Sequence, residues 1–432
     1  MNNTPPVTSD DPPLYLSAML RDGVVDAKGK PIGALADVIV RLDPEQYPAL
    51  SGLVMKVGPN NLFVPMSDVL AIDNNHVTLQ SARLDLRPFE KREGEVLLKQ
   101  AVLGHRLIDV DQVAFVRAYD VVIKKTPQGW AATGLDVHKR TWLPRRGHDN
   151  HPARDWKSFE ALIGHVDSVH VRTGFGRMRS LRAAQIADLI ENASTRERDD
   201  MLDHLQNNPE LEADVFEELE DNKQTQMLKS RNTEDIAAVV NRMRTDDAVD
   251  AILDLPQDRR KPVVDALPEP KRADVLRLMR YQDGSAGGLM GVEYLVVNEH
   301  STVREALDLV RNATTQQPEA LTTIYSVDPD QQLVGTLSIV RAIQVSPDAA
   351  MREVSDLEPV HADPRDDVID VVNLMADYNL LSLPILDDNR HILGVVTIDD
   401  ALEAAIPEDW RRRERHRHTT TQGDDEEKPT EV

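Results

Sequence analysis

The stretch that decides the fold is LPILDDNRHILGVVTIDDAL, at residues 383–402. Residues 324–343, IYSVDPDQQLVGTLSIVRAI, align with it without gaps at an offset of 59 residues. In each copy an apolar run is followed by a turn, a second apolar run and a helix-like segment, and a helical pattern precedes all of these. Each copy therefore predicts the order helix, strand, turn, strand, helix. The second copy ends in two adjacent acids, Asp399 and Asp400.

A second repeat, with a period of twelve residues, lies upstream and begins at Val215. Written in twelves, the chain keeps mostly apolar residues in the first, second and fifth columns, which share one face of a helix. Turn and helix-capping residues follow, such as Asn232, Pro256 and Pro268. Each unit predicts a helix of about two turns, which is too short to be stable alone. The units are therefore expected to stack as an all-α solenoid.

A third repeat occupies residues 14–146, where Asp37-Val38-Ile39-Val40 recurs as Asp120-Val121-Val122-Ile123. Strand-like alternation and β-branched residues predict small antiparallel barrels. The pattern resembles a pair of PRC-barrel modules. That resemblance implies a role in interaction rather than in catalysis.

Composition excludes several classes of function. The chain of 432 residues is long enough for several domains, and its net charge of −24 disfavours nucleic acid as a partner. The absence of cysteine excludes thiolate catalysis and cysteine-ligated metals. No secretory signal and no apolar run long enough to span a bilayer are present, so we expect a cytoplasmic protein without a transmembrane segment. No catalytic constellation is recognisable, so an enzyme is not expected.

The order of these repeats carries a family resemblance. The helical repeat leads through YQDGSAGGLMGVEYLVV (281–297) into the 59-residue repeat, whose second copy includes LMADYNLLSLPILDDNRHILGVVTIDDALE (374–403). The 59-residue repeat resembles a tandem cystathionine-β-synthase-type (CBS) pair. Residues 181–406 as a whole resemble the cytosolic half of the MgtE family of magnesium channels. The resemblance implies that Mg²⁺ binds between acidic faces of the helical domain and the CBS pair.

The expected fold class is multidomain α+β, with small PRC-like β-barrels, an all-α short-repeat superhelical solenoid and a tandem α/β CBS pair. In the family a plug helix leads from the second CBS copy to a pore, but here Pro407 interrupts that segment and no apolar span follows. We therefore expect a chain without a pore of its own. The expected boundaries are a disordered N-terminus at 1–13, PRC-like modules at 14–90 and 95–146, a linker at 147–180, the solenoid at 181–283, CBS copies at 284–346 and 347–409, and a disordered charged tail at 410–432.

Acidic residues at two places are the expected metal ligands. The resemblance implies ligands at the start of the plug helix, on Asp400, Glu403 and Glu408. Two carboxylates about 4 Å apart repel by roughly 4 kcal/mol at an effective dielectric near 20, and a hard divalent cation relieves that repulsion. The alternative is that these acids complement helix N-termini or lie on a solvated face. Acids of the helical repeat that are expected to complete the site are Asp246, Asp247 and Asp250, with Glu234, Asp235 and Asp254 nearby.

A nucleotide site is a separate hypothesis. CBS modules that bind adenosine usually carry the motif G-h-h-T/S-x-x-D, in which the hydroxyl contacts phosphate and the aspartate binds ribose hydroxyls. The second copy keeps this motif as Gly394, Thr397 and Asp400, whereas the first copy has Arg341 at the aspartate position. Binding of an adenine nucleotide at the second copy is therefore a hypothesis that stays open. Asp400 is a candidate residue in both the metal-binding and the nucleotide-binding hypothesis.

The sequence thus predicts a non-enzymatic regulatory protein that binds Mg²⁺ between the helical domain and the CBS pair. It is expected to form a homodimer through the CBS pair and to signal to an unidentified protein partner, for example a membrane transporter. Two alternatives stay open, an adenine-nucleotide sensor and an interaction scaffold that binds neither ligand.

Overall fold

The computed structural model describes residues 13–138, 153–160, 178–313 and 318–406, apart from short gaps at 22, 43–45, 74–75, 82–84, 86, 88 and 93. The chain divides into two compact units, residues 1–218 and 219–432. The expected disordered tail, nearly all of the expected disordered N-terminus and most of the expected linker lie outside the described residues.

The first unit is mainly β-structure. Its large sheet has the strand order β1-β11-β12-β4-β3-β2-β7-β6, with β5, β8 and β13 paired to β4, β3 and β12, and a small sheet has the order β10-β9-β14. The strands are β1 (Leu14–Tyr15), β2 (Gly23–Asp26), β3 (Pro31–Arg41), β4 (Ala49–Val57), β5 (Asn60–Pro65), β6 (Val69–Ile72), β7 (His76–Leu79), β8 (Glu95–Leu97), β9 (Arg106–Asp109), β10 (Ala114–Arg117), β11 (Asp120–Thr126), β12 (Gly129–Asp136), β13 (Arg154–Asp155) and β14 (Phe159–Glu160).

The two sequence repeats of this unit exchange their first segments. Strand β1 and the short helix α1 (Leu16–Met19) pack on β11, where the backbone N–H of Ser17 donates to buried Asp120 at 2.9 Å. Reciprocally, β8 and the short helix α2 (Leu98–Ala101) pack on β3, where the backbone N–H groups of Lys99 and Gln100 donate to buried Asp37 at 2.8 and 3.1 Å. Each aspartate thus supplies the acceptor that a helix start requires. Each repeat therefore completes the other around a shared core.

Three helices follow in this unit. They are α3 (Ala183–Asn192), α4 (Thr195–Leu205) and α5 (Pro209–Glu217). Ser194 and Glu197 form a capping box at the start of α4, and Arg106 of β9 donates to Glu197 at 2.9 Å. This ion pair joins the helical segment to the small sheet.

The second unit begins with five short helices in the predicted twelve-residue register. They are α6 (Asp221–Lys229), α7 (Thr233–Val240), α8 (Thr245–Leu253), α9 (Gln257–Ala266) and α10 (Glu269–Leu278). Helix α6 packs on α8, α7 on α9 and α8 on α10. Fifth-column residues such as Met243, Leu255 and Leu267 are buried. As predicted, the Asn232 side chain caps α7, and Pro256 and Pro268 precede α9 and α10.

The 59-residue repeat follows, and both copies have the predicted helix, strand, turn, strand, helix order. Strands β16 and β17 are antiparallel in the first copy, where β15 adds a parallel strand, and β18 and β19 are antiparallel in the second. The elements are α11 (Ala286–Leu289), β15 (Leu295–Asn298), α12 (Val303–Asn312), β16 (Thr323–Val327), β17 (Leu333–Ser338), α13 (Ile339–Gln344), α14 (Met351–Val354), α15 (Val368–Tyr378), β18 (Ser382–Leu386), β19 (Ile392–Thr397) and α16 (Ile398–Ala405).

The junction between the helices and the CBS pair lies directly against the last strand. Gly291 and Val395 exchange two backbone hydrogen bonds of 2.9 Å. A Cβ atom on Gly394 would lie 2.5 Å from the carbonyl oxygen of Gly291, so only glycine permits this close approach. The pairing fixes the junction beside β19, which leads into α16.

Candidate functional site

The start of helix α8 lies against the start of helix α16, and the junction segment lies beside both. The Thr245 hydroxyl donates to Glu293 Oε1 at 2.7 Å, which ties α8 to the junction. Lys271 Nζ donates to the Met243 carbonyl at 2.5 Å and to Thr245 Oγ1 at 3.1 Å, which ties α10 to the same place. The contact thus joins residues that are far apart in sequence, and most of them are polar.

Arg244 is the cation at the centre of this contact. Its Nε donates to Asp247 Oδ2 at 2.7 Å and its Nη1 to Asp400 Oδ1 at 2.8 Å. Asp246 and Asp399 lie further from the guanidinium, at 3.7 and 3.9 Å. Burial alone would lower the pKa of Arg244, but the carboxylates of Asp246, Asp247 and Asp400 outweigh it and raise the pKa. The guanidinium therefore stays charged and bridges α8 and α16.

Asp246 carries the least satisfied charge of the cluster. Its side chain is buried, and Oδ1 has no hydrogen-bond partner. Burial, and then repulsion from Asp247, raises the pKa of Asp246 well above its ordinary value, although Arg244 opposes that shift. A buried carboxylate oxygen without a donor is costly, and a proton or a bound cation relieves the cost.

The carboxylates outnumber the positive charges near them. The cation cluster, as we name it, comprises Arg244 with the carboxylates of Asp246, Asp247, Glu293, Asp399 and Asp400. The atoms that could ligate a metal are carboxylate oxygens, which a hard divalent cation such as Mg²⁺ prefers. One of these oxygens, Asp246 Oδ1, is buried and has no hydrogen-bond partner. Within the ranges that the structure describes, however, no group of three or more His, Asp or Glu side chains is arranged to hold a metal ion. Metal binding at these carboxylates stays a prediction, and in the structure Arg244 supplies the positive charge beside them.

The residues of the expected nucleotide motif have partners within the chain. Asp400 is buried, and it accepts from the backbone N–H of Thr397 at 3.3 Å and from the Thr397 hydroxyl at 2.5 Å. The same hydroxyl lies within hydrogen-bond distance of Asp399. Gly394 lies against Gly291, as described above. Nucleotide binding at these residues stays a prediction.

Asp250 belongs to a second acidic group on the exposed side of α8. Restricted hydration by the surrounding protein raises the pKa of Asp250 to about 7, and four neighbouring carboxylates add to this shift. Those carboxylates belong to Asp247, Asp283, Asp254 and Asp221. The Asp250 side chain itself is exposed.

The remaining predicted ligands lie elsewhere. Glu403 is exposed on α16, and Glu408 lies outside the described residues. Of the predicted metal ligands, the structure brings Asp246, Asp247 and Asp400 together around one guanidinium.

Sequence reasoning missed Arg244 and Glu293. Arg244 is the first residue of a repeat turn, at the position that Asn232 occupies twelve residues earlier. An arginine at this position gave no signal, because Glu220, Pro256 and Pro268 at the same repeat position also make no capping hydrogen bond. Glu293 belongs to the junction stretch, and nothing in its spacing pointed to α8.

Comparisons with known proteins agree with this architecture. Residues 181–284 match the MgtE intracellular N domain, and residues 351–406 match the CBS domain. The magnesium transporter MgtE of Thermus thermophilus is 37% identical over 139 residues, which make up 32% of this chain and 31% of that protein. The match thus spans about a third of the length of this relative.

Two crystal structures are similar to part of this chain. The soluble part of a magnesium transporter has 25% identity and a TM-score of 0.50, over 53% of this chain and 89% of the other. The cytosolic domain of the Mg²⁺ channel MgtE in complex with ATP has 28% identity and a TM-score of 0.49, over 52% and 91% of the two chains.

The fold and these matches define a protein with an MgtE intracellular N domain followed by a CBS pair. The matched part of the chain is similar in sequence to the magnesium transporter MgtE of Thermus thermophilus and in fold to the soluble part of a magnesium transporter. In the part of the chain that the structure describes, no helix is both long enough and apolar enough to cross a membrane.

Proposed function

We propose that this chain is a non-enzymatic regulatory protein that senses divalent cations, and Mg²⁺ in particular. A cation bound at the cation cluster stabilises the contact between the MgtE N domain and the CBS pair. The chain then presents one of two arrangements to a partner, according to the concentration of the cation.

One observation carries this proposal. Asp246 Oδ1 is buried and unpaired at the contact between α8 and the CBS pair, among carboxylates that a single guanidinium does not neutralise. A divalent cation bound there lowers the repulsion between these carboxylates when α8 and α16 are in contact. It has no such effect when the two helices are apart. A ligand that prefers one arrangement shifts the population toward it.

The adenine-nucleotide alternative has less support from the contacts. A ribose at the second copy requires the Asp400 carboxylate, which already accepts from Thr397 and contacts Arg244 at 2.8 Å. An interaction scaffold that binds neither ligand is the third hypothesis. The experiment below separates all three.

We also propose that the chain acts as a homodimer in the cytoplasm and signals to a protein partner such as a membrane transporter. Large apolar side chains on the CBS helices support a dimer, since Val340, Ile343, Ile369 and Leu402 are each more than half exposed. Exposed apolar surface of this kind is typical of protein interfaces.

The proposal predicts that Mg²⁺ stabilises the full chain against heat. At a hundredfold excess over the dissociation constant, Mg²⁺ adds about 2.7 kcal/mol to the free energy of unfolding. The measurement is thermal unfolding with MgCl₂ against NaCl of equal ionic strength, and with ATP or AMP in the presence of EDTA. A nucleotide shift without a Mg²⁺ shift would favour the nucleotide sensor. No shift with either ligand would favour the scaffold.

A further inference from the structure

Arg244 occupies the repeat position that precedes each helix, which is Glu220, Asn232, Pro256 and Pro268 in the other units. It is the N-cap residue of α8, and its side chain makes no capping hydrogen bond. Twelve residues earlier, Asn232 accepts from the backbone N–H of Asp235 at 2.8 Å, and twelve residues later the position is Pro256. Because arginine has no acceptor, it cannot cap α8, and its five N–H donors serve contacts outside that helix start.

The guanidinium of Arg244 contacts carboxylates of two domains at once. The guanidinium reaches Asp247 on α8 with Nε and Asp400 on α16 with Nη1, and its side chain is only 21% exposed. The planar fork of arginine suits two carboxylates at once, whereas the ammonium of lysine is a single point of charge. Arg244 therefore supplies positive charge between these two helices.

We propose that Arg244 is a built-in cation that holds α8 against α16 when no divalent cation is bound. This claim rests on the proposed function for the ligand, but its core concerns the metal-free chain. Because the guanidinium neutralises only part of the cluster, it reduces the requirement for a divalent cation without removing it. The residue thus sets how strongly the contact between the two domains depends on Mg²⁺.

The test compares interdomain distances in the full chain. The sequence has no cysteine, so Gln257→Cys and Asn389→Cys place two spin labels at exposed positions of α9 and of the β18–β19 turn. Arg244→Gln is compared with Arg242→Gln, which removes the same charge from an exposed side chain two residues away. Distances are measured by pulsed electron resonance in EDTA and in Mg²⁺.

In EDTA, the population with the longer distance is expected to rise at least about tenfold in Arg244→Gln, because carboxylates lose a buried partner. Arg242→Gln should match the parent, and Mg²⁺ should restore the short distance in Arg244→Gln. An unchanged distance in EDTA would overturn the proposal for Arg244. A longer distance that Mg²⁺ fails to restore would support the role of Arg244 and contradict the proposed cation binding.

A second variant keeps the test decisive if Arg244→Gln does not fold. Asp400→Asn leaves Arg244 in place but removes the negative charge that its Nη1 contacts on α16 at 2.8 Å. A lengthened distance in EDTA would support the built-in cation, and a distance equal to that of the parent would refute it.

Discussion

Asp400→Asn is expected to lower the free energy of unfolding by about 2–3 kcal/mol in the absence of metal. Removing one partner of a buried ion pair costs about 3–5 kcal/mol, because it leaves the other charge uncompensated. The loss is smaller here because Arg244 keeps its contact with Asp247 at 2.7 Å. The four tryptophans lie outside residues 219–406, so urea unfolding is followed by circular dichroism.

The control for this substitution is the neighbouring aspartate. Asp399→Asn removes the same charge from a side chain that is 48% exposed and 3.9 Å from Arg244. Exposed ion pairs contribute about 0–1 kcal/mol, so this variant should unfold nearly as the parent does. Equal losses in the two variants would contradict the bridging role of Asp400.

Asp246→Asn is expected to abolish most of the Mg²⁺-induced stabilisation and to change metal-free stability little. Burial and the charge of Asp247 raise the pKa of Asp246, so the fold already disfavours the ionised form that asparagine replaces. The variant loses the unpaired anionic oxygen, and with it the 2.7 kcal/mol or so that saturating Mg²⁺ should add. Thermal unfolding in EDTA and in Mg²⁺ measures both effects.

Asp258→Asn is the matched control for that experiment. It makes the same chemical change at an exposed position in the first turn of α9. Its response to Mg²⁺ should equal that of the parent. If Asp246→Asn responded to Mg²⁺ as strongly as Asp258→Asn, the cation site would have to lie elsewhere.

Local patterns predicted the elements well because short-range physics determines them. The gapless match of residues 324–343 to 383–402 gave the strand order of both CBS copies, and the twelve-residue period gave the register of α6–α10. Apolar columns report which face of each helix is buried, and capping residues report where each helix begins.

Contacts between residues that are far apart in the chain were harder to predict from the sequence. The sequence predicted that Asp246, Asp247 and Asp400 belong to one site, but only through a family resemblance. The contact of Arg244 with Asp400 crosses 156 residues and leaves no local trace. Likewise, the match of Asp37 with Asp120 indicated a repeat, but not that each aspartate caps the short helix of the other copy.

Hydrogen–deuterium exchange of the full parent chain, with and without Mg²⁺, tests the central claim most directly. Amides that take part in a stabilised contact open less often, so their exchange slows. The account predicts that Mg²⁺ slows exchange at the starts of both α8 and α16, at least about fivefold, and leaves the β-sheet of the first unit unchanged. Unchanged exchange at both helix starts, with protection elsewhere or nowhere, would contradict it.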